Sequence, residues 1–72
     1  MRYHEWIKES LHLERVEDEK KRYNELLNTL VFHKGDYASH PSTGIVYDIR
    51  IINKNISILD IQIDEIKERL NA

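Results

Sequence analysis

The chain has 72 residues with no cysteine, one proline and two glycines, and its 11 Lys plus Arg stand against 13 Asp plus Glu for a net charge of −2. One domain is the most this length supports, and such a chain buries only about 60% of its unfolded surface, so the fold needs reinforcement beyond its own core. Disulfides and cysteine-built zinc sites are excluded, and the near-neutral balance excludes a whole-protein field that would draw in DNA, RNA or anionic lipid.

The start, Met1-Arg2-Tyr3-His4-Glu5-Trp6, lacks the apolar segment of a signal peptide, and no run approaches ~18 apolar residues. The expectation is a cytoplasmic protein without membrane contact. Residues 3 to 33 then read as one long helix, because Pro and Gly are absent and Glu, Lys, Arg and Leu dominate. Its apolar seam is Trp6, Leu13, Val16, Tyr23, Leu27 and Leu30, with the polar residues Glu9 and Lys20 interrupting it. Tyr3, Ile7 and Leu11 project well away from that seam and form a short second apolar line.

The stretch Lys34 to Gly44 gathers both glycines and the proline with Asp, Ser and Thr, and reads as a loop. Gly35 suits the end of the first helix, and Ser39 before Pro41 suits the start of a second. From Ile45 onward, Ile45, Ile49, Ile52, Ile56, Leu59, Ile63, Ile66 and Leu70 alternate steps of four and three without a polar residue on the seam. That is the heptad pattern of a helix laid against other helices, and it predicts a second helix over about 42–70. A further apolar line, Tyr47, Ile51, Ile58 and Ile61, falls on roughly the opposite side at about 100° per residue.

The fold expected is therefore all-α: a single domain over 1–72, built as an antiparallel two-helix hairpin of coiled-coil type with a loop at 34–44. A straight-helix register sets Lys20 near Asn55 and Leu13 near Ile63. The rival reading is α+β with a β-hairpin at 45–63, since Ile45 to Ile51 and Ile56 to Ile58 alternate in strand fashion around Asn53-Lys54-Asn55. Ile51-Ile52 and Ile58-Leu59 break that alternation, whereas the heptad runs without a slip.

Chemistry-bearing patterns are weak. Glu9 and His12 have the Glu-x-x-His spacing of di-iron bundles, but the residues expected at that height on the second helix are Ile63 and Ile66, so no matching carboxylates face them. His33, Asp36 and His40 bracket the loop with nitrogen and oxygen donors of a type that suits zinc or nickel, at a spacing that matches no metal motif; a helix-end imidazole at His33 and a capping-region His40 are the preferred readings. Lys20-Lys21-Arg22 follows Glu17-Asp18-Glu19 directly, a solvated ion-paired face rather than a phosphate grip. Trp6 on a seam reads as core. The serines have no nucleophile elbow or triad spacing, and the glycines form no phosphate loop. Neither an enzyme nor a metal or cofactor site is expected.

What remains is surplus apolar helix surface. The expectation is a homodimer forming a four-helix bundle through Tyr47, Ile51, Ile58 and Ile61, with Tyr3, Ile7 and Leu11 offered to another protein. The function that follows is a non-enzymatic interaction module, that is, a small adaptor, regulator or inhibitor of a protein target. The alternatives are a nucleic-acid-associated dimer using Lys20, Lys21, Arg22 and Lys34, and an assembly or scaffolding component of a larger complex or virion. Ten isoleucines with five asparagines point to an AT-rich coding genome, such as a low-GC bacterium or its phage.

Overall fold

The computed structural model describes residues 2–72. Two helices, α1 (Tyr3–Thr29) and α2 (Ile49–Leu70), lie antiparallel, and the chain between them forms three short strands, β1 (Val31–Phe32), β2 (Tyr37–Ser39) and β3 (Val46–Asp48). The strands make an antiparallel meander in the order β1-β2-β3, with Val31 opposite Ser39 and Ala38 opposite Tyr47. The expected helical hairpin is present, and a small sheet replaces the loop at its closed end. The fold class holds as a mostly helical hairpin, with the three short strands as its departure from a purely α chain.

The differences from expectation have local causes. α1 stops at Thr29, short of residue 33: the Thr29 hydroxyl donates to the Glu25 carbonyl at 2.8 Å, and Leu30 turns extended with its side chain buried. Val31, Phe32 and His33 follow, two of them β-branched or aromatic residues that fit a pleated sheet. Likewise residues 42 to 48 are not helical. Val46 and Tyr47 pair with Ser39 and Ala38, so the strand-like alternation of the rival reading is real at 46–48 and ends there. Its hairpin at 45–63 does not form, because the partner strand lies upstream in the segment read as loop.

Both glycines serve turns in the meander rather than helix ends. Gly35 at φ 82° lies between β1 and β2, and Gly44 at φ 72° lies between β2 and β3, a backbone region costly for other residues. The Gly44 N–H donates to the His40 carbonyl, and the His40 N–H to that of Ile45, each at 2.9 Å. Ser39 and Pro41 start no helix.

The cap of α2 is Asp48. Its carboxylate accepts from the Arg50 backbone N–H at 3.0 Å and from the Arg50 guanidinium at 3.1 and 2.8 Å, while the Asp36 carbonyl takes the Ile49 N–H at 2.8 Å. The Arg50 side chain holds the Asp48 carboxyl below the usual aspartate value. A carboxyl depressed in the fold contributes stability that is complete above its unfolded value of about 4 and is lost as pH falls through the folded one. Asp48→Ala should thus lower the thermal midpoint by several degrees at neutral pH, as read by circular dichroism. That deficit should shrink as both proteins are acidified below about pH 4.

Two apolar clusters fill the interface. Val16, Leu59, Ile63 and Ile66 form one along the helices, and Leu30, Ala38 and Ile52 form the other under the sheet. Tyr23 packs against both, and its hydroxyl accepts from Asn55 Nδ2 at 3.3 Å. Lys20 pairs with Asp60 and Arg69 with Glu9, the latter at 3.2 Å. The helices thus sit about one turn from the straight-hairpin register, because the meander brings α2 in later than a loop would.

Candidate interaction surface

Two helices side by side make a single layer, and the Cα positions extend 50 × 21 × 13 Å. A layer one helix thick covers only the line where the helices touch. The accessible surface is 5587 Å² for 8.7 kDa, whereas a compact protein of that mass exposes about 4,700 Å². The excess, roughly 850 Å², is close to one partner's share of a standard protein–protein interface, about 800 Å².

The apolar part of this excess lies in three places. On α2, Ile51, Ile58 and Ile61 are 60, 44 and 59% exposed. They stand well around the helix axis from Ile52, Leu59, Ile63 and Ile66, which face α1. Tyr47, read as part of this line, is in β3, half-buried against the Leu30, Ala38 and Ile52 cluster, so the helical stripe begins at Ile51.

The second place is the start of α1. Because Glu9 meets Arg69 in the last turn of α2, the six residues Tyr3 to Lys8 run on past the pairing, about 9 Å of helix. Tyr3, Ile7 and Leu11 are exposed there as expected, on the side of α1 away from α2. Trp6 is exposed too, at 48%, which corrects its reading as core. The missing signal was length: α1 exceeds α2 by more than a turn, and the surplus falls at its free end.

Sequence reasoning missed the third place, the edge and outer side of the sheet. Val31, Phe32, Tyr37 and Val46 are exposed there. Their strand-forming character was legible, but the helix and loop assignment hid it.

The polar candidates are occupied singly. His33 Nε2 lies 2.6 Å from Ser39 Oγ, His40 Nδ1 accepts the Ser42 and Thr43 N–H groups at 3.1 and 3.3 Å, and the Asp36 carboxylate is 3.5 Å from Arg50. Among the described residues no three His, Asp or Glu side chains are gathered to hold a metal ion. Glu9 is turned to Arg69. In the basic triplet, Lys20 pairs with Asp60 and Arg22 with Asp18. Among the described residues no helix is long and apolar enough to cross a membrane.

Comparison with known protein families, with characterised proteins and with solved structures finds no match for this chain.

Proposed function

We propose that the protein is a non-enzymatic interaction module that pairs with a second copy through α2 and presents the free start of α1 to another protein. The single observation behind this reading is the one-helix-thick layer with apolar side chains on both outer edges, Ile51, Ile58 and Ile61 on one and Tyr3, Ile7 and Leu11 on the other. Water-exposed isoleucines in such a row are a liability for an isolated domain and an asset for a binding surface.

The division of labour follows from shape. The α2 edge carries Ile51, Ile58 and Ile61 along about 15 Å of helix, which suits another helix. The α1 overhang is a short, single-helix projection carrying Trp6 and Tyr3, aromatic side chains of the kind that anchor protein contacts. Lys20 and Arg22 are engaged in ion pairs within the chain and the net charge is −2, which weighs against a duplex backbone as the partner.

Affinity capture from the native host, quantified by mass spectrometry, tests the α1 arm. Ile7→Asp with Leu11→Asp should abolish capture of a specific partner, because two charges would enter the apolar contact, while the helix content stays unchanged by circular dichroism. Retention of every captured protein by the double variant would remove this arm of the proposal.

A further inference from the structure

The outer stripe of α2 has a symmetry in its spacing that it lacks in its charge. Lys54, Ile58, Ile61 and Glu65 follow one another in steps of four, three and four, so they form one straight row centred about 140° around the helix from the buried residues. All four are exposed. Among the described residues neither Lys54 nor Glu65 takes part in an ion pair, a state they share with most charged side chains of the chain, so both are available to a second copy.

A four-three-four row reads the same from either end. Two copies laid antiparallel about an axis passing between Leu59 and Asp60 put Ile58 of each against Ile61 of the other. The same operation sets Lys54 against Glu65 twice, once at each end of the apolar pair. Laid parallel, the row sets lysine on lysine and glutamate on glutamate. Charge complementarity therefore selects one orientation, the closed twofold arrangement most common in soluble oligomers.

We infer that a second copy of this chain docks on the α2 outer face in antiparallel register, with Ile58 and Ile61 at the centre and Lys54–Glu65 ion pairs at both ends. This inference rests on the self-pairing reading above and adds its geometry. Ile58 and Ile61, 44 and 59% exposed, supply the apolar centre of that contact, and the α2 face accounts for one part of the chain's surplus surface. Because the stripe lies nearly opposite α1, the assembly is a row in the order α1, α2, α2, α1. That is an open layer rather than the square bundle expected from the sequence. Both α1 overhangs remain at its outer edges, free for another partner.

The test is charge exchange, read by sedimentation equilibrium on the full chain. Lys54→Glu faces glutamate with glutamate, and Glu65→Lys faces lysine with lysine, so each single variant should dissociate about tenfold more readily, with the difference fading in high salt. The double variant K54E/E65K recreates both pairs and should return to wild-type affinity. An equimolar mixture of the two single variants should likewise form mixed dimers, since each supplies the charge that the other lacks. Circular dichroism checks that each variant keeps its helices.

A wild-type dimer unmoved by the single changes, or a double variant left as weak as the singles, overturns the register while leaving self-pairing intact. A wild-type chain that stays monomeric overturns both.

Discussion

Replacing Ile66 by alanine should unfold most of the protein at 37 °C. Ile66 is 1% exposed and is the largest side chain that the fold buries completely, set among Val16, Leu59 and Ile63. Truncating a fully buried isoleucine to alanine costs about 2–5 kcal/mol, part from lost transfer energy and part from the cavity left behind. A chain of this size has a total stability near the lower end of the usual range, about 5 kcal/mol, so the loss approaches the whole. Alanine propagates a helix better than isoleucine, and the effect is therefore one of packing and not of helix propensity. Urea titration followed by circular dichroism reads the result directly. Ile66→Val removes one methylene and should cost about 0.5–1.5 kcal/mol, giving a graded series. An alanine variant as stable as the valine variant would mean that the Val16, Leu59 and Ile63 cluster is not the centre of the fold.

The second large effect is expected on the opposite side of the same helix. Ile58→Asp with Ile61→Asp places two carboxylates where Ile58 and Ile61 of two copies are proposed to meet. An isolated chain tolerates these changes, because both side chains are about half exposed in it. A paired chain does not, since four charges would then enter an apolar contact with nothing to compensate them. Self-association should weaken by about a hundredfold or more. The helices should persist, and the thermal midpoint should lose whatever concentration dependence the wild type has. The two substitutions thus separate folding from pairing: Ile66 holds the hairpin together, and Ile58 with Ile61 holds the copies together.

The long heptad in the second half of the chain was the most legible feature. From Ile49 to Leu70 the three- and four-residue steps admit one regular structure, and Ile52, Leu59, Ile63 and Ile66 are buried where the seam puts them. The same periodicity misled at its edge. Ile45 continues the heptad by count, yet it is half exposed in the connection, because a three-residue strand competes for the same residues and wins through a partner. That partner, Tyr37-Ala38-Ser39, has little strand signal of its own. It pairs because Gly35 and Gly44 allow the reversals on either side and because Ala38, fully buried, is small enough to let the sheet lie close on Leu30 and Ile52. Tertiary fit of this kind is not written in local propensity.

The candidate surface was legible in part for the same reason. Exposure of Tyr3, Ile7, Leu11, Ile51, Ile58 and Ile61 follows from helical phase alone. Trp6 and Tyr47 could not be placed that way, because Trp6 depends on where α2 ends and Tyr47 on where it begins. His33, Asp36 and His40 lie in the sheet and its turns, where hydrogen bonds to Ser39, the Ser42 and Thr43 N–H groups and Arg50 occupy them. Nothing in their spacing forecast those partners.

The measurement closest to the central claim, that one copy leaves too much apolar helix uncovered to stand alone, is sedimentation equilibrium of the wild-type chain at micromolar concentration. The account predicts a discrete species of about twice the 8.7 kDa chain mass, dissociating on dilution. A well-folded species of 8.7 kDa at every concentration, with Ile51, Ile58 and Ile61 left to solvent, would contradict it.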